Sequence, residues 1–148
     1  MCVSIKPTKE HCAELAANIR QADADESRAA GIEPSMESIW SFVRMSDRRR
    51  TFLIRGRVAA IGGVVTTGLG VGNVWLLTAN ICDATKLTFW RTSKKAIVEF
   101  QEGFDELFVR IDARYSRAIA WAMRLGFEVG DPEPLPNGSM FCLARRKS

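Results

Sequence analysis

Five consecutive residues, Arg91-Thr92-Ser93-Lys94-Lys95, set three cations and two hydroxyls ahead of Ile97, Phe100, Phe104 and Leu107, which recur at helical spacing. Thr92 and Ser93 are residue types that cap helices, so the pattern predicts a helix start at this point. The free amides and positive dipole end of a helix start, reinforced by cationic side chains, form a site for a phosphate-like anion. Lysines in a first turn oppose the dipole, which favours a bound anion there. The alternative is a capped helix with a solvated basic first turn.

Residues able to move protons are few. Asp83 and Glu33 are conceivable bases, although a single loop carboxylate is more often a solvated surface group. The one histidine, His11, falls near the start of a predicted helix, where a surface or capping role is expected. Cys2, Cys12, Cys82 and Cys142 are scattered with no paired spacing, which excludes a zinc motif and points to reduced structural thiols. Gly68-Leu69-Gly70-Val71-Gly72 does not have the glycine spacing of a dinucleotide fingerprint and reads as a mobile hairpin loop. Arg48-Arg49-Arg50 and the RRK of the tail lack the aromatic interleaving of a nucleic-acid surface and read as solvated edges. Trp90 is expected either to stack on an adenine or to close the core.

The elements that must hold these groups follow from periodicity. Val3 and Ile5 alternate as a short strand, and Thr8 caps a helix with Cys12, Leu15, Ala16 and Ile19 as its apolar stripe, fading towards Gly31. A second helix starts near Pro34 and Ser35 and carries Met36, Ile39, Trp40 and Val43. Residues 51–55 and 58–65 form a hairpin turned at Gly56, with Gly62-Gly63 marking a bulge or a close backbone approach. Residues 74–79 are nearly all apolar and read as a strand buried on both faces. After the basic helix come a strand at 108–111 and a helix carrying Ala118, Trp121, Ala122 and Leu125. Gly126 ends that helix, which bears Arg114, Arg117 and Arg124 on another side. Residues 127–129 and 140–144 close the chain as a hairpin, leaving a solvated tail. The fold class is α+β, one domain spanning 1–148, with a central, mostly antiparallel twisted sheet of about six to seven strands flanked by about four helices.

The length of 148 residues suits one domain, and no apolar run reaches the roughly eighteen residues of a membrane span. The N-terminus has no signal-peptide pattern, so a cytoplasmic protein is expected. The net charge of +4 favours an anionic partner without amounting to a nucleic-acid signature.

This order, with AIAWAMRLGF at residues 118–127, resembles the GNAT superfamily of acyl-CoA-dependent N-acetyltransferases, best from Thr51 to Phe127. The resemblance implies a V-shaped splay between two central strands, with the pantetheine of acetyl-CoA in the gap beside Leu77 and Thr78. It places the cofactor's pyrophosphate on the helix start at Arg91, Thr92, Ser93, Lys94 and Lys95, and an unknown amine as acceptor. Two departures accompany it. RTSKKA has no glycine where the family's cofactor loop has a glycine pattern, and Ala122 stands where the family has a proton-donating tyrosine. Tyr115 aligns with a frequent asparagine, so it replaces the missing tyrosine only if the helix shifts. Positioning alone still accelerates aminolysis of a thioester.

Residues 5–11 (IKPTKEH), 28–35 (RAAGIEPS) and 59–63 (AAIGG), with the basic stretch near Trp90, are also similar to the small internal virion proteins of podovirus-type phages. Two functions follow from these resemblances. One is a phage or prophage acyl-CoA-binding protein of the acetyltransferase type without the usual tyrosine. The other is a non-catalytic virion or assembly protein that contacts phage structural proteins, located in the bacterial cytoplasm or in the particle.

Overall fold

The computed structural model describes residues 2–148. Seven strands and five α-helices follow in the order β1 (Cys2–Ile5), α1 (Lys9–Asn18), α2 (Gln21–Ala29), α3 (Met36–Met45), β2 (Arg48–Ile54), β3 (Arg57–Gly68), β4 (Val71–Thr78), α4 (Lys86–Gln101), β5 (Glu106–Asp112), α5 (Ser116–Arg124), β6 (Glu128–Pro134) and β7 (Met140–Lys147). A 3₁₀ turn, Asn80–Ala84, joins β4 to α4. The strands form one sheet ordered β1-β2-β3-β4-β5-β7-β6, and among the described residues only the β4–β5 pair is parallel. The expected α+β class therefore holds, with α2 as an additional helix.

Local chemistry accounts for most boundaries. The Thr8 hydroxyl accepts from the His11 amide and His11 Nδ1 accepts from the Thr8 amide, both at 3.1 Å, so the histidine closes a capping box on α1. Ser35 and Ser38 do the same for α3. Arg55 and Gly56 both have positive φ, giving the two-residue turn that matches strand twist between β2 and β3. Gly62 and Gly63 mark close backbone approach, since a Cβ would fall 2.8 Å from the Trp75 carbonyl oxygen at Gly62 and against that of Arg48 at Gly63. The register shift in β2–β3 lies elsewhere, between Phe52 and Leu53.

The sheet separates two cores. Cys12 and Leu15 of α1 and Ile39 and Val43 of α3 bury against Val58, Ile61 and Ala79 on one face. Ile97 and Phe100 of α4 and Ala122 and Leu125 of α5 bury against Val64, Val74, Leu107 and Ile111 on the other. The basic C-terminal residues are part of the sheet rather than a solvated tail. Arg146 on β7 donates to the Leu125 carbonyl at 2.9 Å and to Gln101 Oε1 at 2.8 Å, tying the sheet to both helices. Arg48–Arg50 likewise begins β2, where Arg49 donates to the Val43 carbonyl and Arg50 pairs with Glu99 at 2.7 Å.

The feature that makes room for a ligand is the parallel pair. β4 and β5 pair only at Val71–Glu106, Gly72–Leu107 and Asn73–Phe108. Beyond this point β4 stays with β3 and β5 with β7, so the two strands diverge as a V.

Candidate functional site

A cavity of about 400 Å³ opens from this V between α4 and α5. Val74, Leu76 and Thr78 of β4 and Val109 and Ile111 of β5 line it. Antiparallel strands turn successive residues' hydrogen-bonding groups to opposite sides. The Ala79 amide donates to the Ala59 carbonyl on β3, so Thr78, Leu76 and Val74 turn theirs towards β5. Past Asn73 that edge of β4 has no strand partner among the described residues.

The wide end of the V is filled by the break between α1 and α2. Ile19 and Arg20 are extended, Ile19 bridges Ala79, and the Arg20 amide donates to the Thr78 carbonyl at 2.9 Å. α2 then carries two carboxylates to the cavity. The buried Asp23 carboxylate accepts from the Thr78 amide at 2.6 Å, from the Thr78 hydroxyl, and from the Tyr115 hydroxyl at 2.8 Å. Burial pushes its pKa up against the lowering effect of these donors. Glu26 accepts from the Asp112 amide at 2.9 Å. Burial raises its pKa from 4.5 to about 7, partly offset by that amide and reinforced by the charges of Asp23 and Asp112. Such a carboxyl takes and releases a proton near neutrality, the requirement for a general base.

Cations surround the same opening. Lys86 in the first turn of α4 and Arg117 and Arg124 of α5 line the cavity, and no carboxylate pairs with them among the described residues. Arg124 covers the Trp90 ring at 4.3 Å, and Phe89 stacks with Trp121 at 6.2 Å, so α4 and α5 clasp over the cavity. Among the described residues no side chain caps α4, so its first amides are open to water or to an anion.

Neither a family model nor a curated protein matches the sequence. Solved structures do match the fold. An acetyltransferase of the GNAT family from Streptococcus pneumoniae superposes over 99% of both chains at a TM-score of 0.71 and 12% identity. AAC(6')-Ib in complex with ribostamycin and coenzyme A superposes over 99% of this chain and 93% of its own, at 0.72 and 15%. An acetyltransferase from Bacillus cereus superposes over 100% of both, at 0.69 and 13%.

The chain has the GNAT fold.

Within the GNAT fold the sequence-derived site residues divide. Thr78 lines the cavity, whereas Leu77 points to the α1–α3 face. The helix expected to start at Thr92 and Ser93 starts at Lys86, so Arg91, Thr92, Ser93, Lys94 and Lys95 lie in its interior. Their backbone amides are used by the helix, and the helix-start anion argument moves to Lys86, Leu87 and Thr88. Thr92 and Ser93 line the cavity, but their hydroxyls donate to the carbonyls of Thr88 at 3.0 Å and Phe89 at 2.8 Å. Arg91, Lys94 and Lys95 are exposed and do not line it.

Tyr115 is the residue preceding α5 and lines the cavity. Its hydroxyl proton is directed at Asp23, and burial followed by that carboxylate raises its pKa. Ala122, on the inner side of α5, is buried in the core and borders the cavity. Glu33 pairs with Arg28, away from the cavity, and Asp83 pairs with Arg20 at its rim. Glu26 was the residue sequence reasoning missed. Its one signal was the carboxylate spacing of Asp23 and Glu26, which puts both on one face of a helix.

Proposed function

We propose that this protein is an acyl-CoA-dependent N-acyltransferase whose acceptor amine meets the thioester beside Glu26. The observation that carries the reading is that the V between β4 and β5 meets, at one end, both an unpaired strand edge and a carboxyl held near pH 7. Solved relatives of the same fold hold acetyl-CoA or coenzyme A. Here the Leu76 amide and carbonyl, on the edge of β4 past its pairing with β5, are offered to the pantetheine, as they would be to a third strand. Lys86, Arg117 and the first amides of α4 suit the phosphates.

The chemistry balances with this chain's own groups. Glu26 takes one proton from the incoming ammonium, the freed amine nitrogen attacks the thioester carbonyl, and the carbon–sulfur bond breaks. The second amine proton then reaches the departing thiolate, so a tyrosine at position 122 is not required. Asp23 holds Tyr115 and Thr78 in place around the reacting atoms.

The test is calorimetric titration with acetyl-CoA, followed by thiol release across a panel of primary amines. Binding and amine-dependent thiol release support the reading, and absence of heat at high micromolar ligand overturns it. A second reading, a non-catalytic phage virion or assembly protein, is favoured by the glycine-free turn between β4 and α4. For that reading acyl-CoA is absent from the purified protein and the chain is found in purified particles.

A further inference from the structure

The cavity has two chemically different ends. At the wide end lie Arg20, Asp23, Glu26, Asp83, Lys86 and Arg117, with Asp23 bonded to Thr78 at the end of β4 and Glu26 to Asp112 at the end of β5. At the narrow end, where the two strands rejoin, the walls are Val74, Ile97, Phe100, Leu125 and Phe127, which belong to the hydrophobic core. Ala96 of α4 and Ala118 and Ala122 of α5 also line the cavity, and their small side chains leave room along its helical wall. Ser93 adds no polarity to this wall, because its hydroxyl is bonded back to Phe89.

An amine placed at the narrow end would lose hydration without finding a hydrogen-bond partner, whereas an alkyl chain would lose only contact with water. The acceptor therefore belongs at the carboxylate end, and the apolar end is left for the group carried by the thioester. We propose that the acyl donor is a medium-chain acyl-CoA, with its alkyl tail running between α4 and α5 along Ala96, Ala118 and Ala122. This rests on the acyltransferase reading above and adds the donor class to it.

Each methylene moved from water into an apolar site strengthens binding by up to about fourfold. Octanoyl-CoA is then expected to bind the full chain at least about tenfold more tightly than acetyl-CoA, after allowance for ordering the tail. Ala118→Phe, at a half-buried position, is expected to bring that ratio back near one. Ala122→Leu is a second variant for the same ratio, with circular dichroism checking its fold.

Titration calorimetry with acetyl-, butyryl- and octanoyl-CoA decides the matter. Rising affinity with chain length, abolished by either folded variant, supports the proposal. Equal binding of acetyl- and octanoyl-CoA overturns it while leaving the acyltransferase reading intact, and so does a chain-length preference that both variants retain. Equal donors combined with faster acetyl transfer to octylamine, sensitive to Ala118→Phe, would assign the apolar end to the acceptor and overturn it too. Failure of every acyl-CoA to bind overturns both readings.

Discussion

Glu26 is a glutamate on a polar helix, yet burial holds its carboxyl near neutrality, where it can accept a proton. Its pKa of about 7 comes mainly from burial, so the expected pH profile of acyl transfer rises through neutrality as the carboxyl ionises. Glu26→Gln keeps an acceptor for the Asp112 amide but cannot take a proton. It should lower kcat/KM by about 100-fold or more and remove the rising limb, while acyl-CoA affinity measured by calorimetry changes little. Tyr115→Phe removes one donor to Asp23 and should destabilise by about 1 kcal/mol, read by urea unfolding. At this scale the sequence was only partly legible. The acidity of Asp23 and Glu26 is visible in it, but their contact with Thr78, Tyr115 and Asp112 joins residues more than fifty positions apart. The helix start was misplaced for a physical reason too: Thr92 and Ser93 look like caps, but their hydroxyls can bond back one turn and so remain inside a helix.

Among the elements, α4 and α5 matter because they bracket the cavity. Lys86→Glu puts a negative charge at the uncapped start of α4 and is expected to weaken acyl-CoA binding about tenfold. Arg91→Ala and Lys95→Ala, on the exposed side of the same helix, should leave the dissociation constant within about twofold. Calorimetric titration of the three variants separates the two places. β7 has its own role, since Arg146 binds the end of α5 and Gln101 at the end of α4. Arg146→Ala is expected to destabilise by about 2 kcal/mol, lowering Tm by about 5 °C for a chain of this length. The strands and helices were largely legible, because periods of two and of three to four residues repeat wherever one face meets the core. α2 was not legible as a separate helix, because polar bonds rather than an apolar stripe hold it.

For the whole molecule, the raised carboxyls set how stability changes with pH. Glu26 binds its proton more tightly folded than unfolded, so its contribution is fully present below pH 4.5 and is lost as pH rises to about 7. The loss is at most about 3 kcal/mol. Asp23 acts in the same direction. Asp47 and Asp112 are held below the usual range by hydrogen bonds from Thr66 and Arg114, and their contributions fade only below about pH 4. Tm is therefore expected to be higher at pH 5 than at pH 8, with Glu26→Gln narrowing the difference in differential scanning calorimetry.

The wedge of Ile19 and Arg20 in the mouth of the V also has a kinetic signature in the chain's amide protons. Thr78 and Leu76 lie two residues apart on one strand edge, but of their two amides only that of Thr78 is held among the described residues, by Asp23 at 2.6 Å. In deuterated water the Leu76 amide should exchange early and the Thr78 amide late. Acyl-CoA that docks along β4 should slow Leu76 alone, which would report occupancy of the cleft residue by residue without any turnover assay.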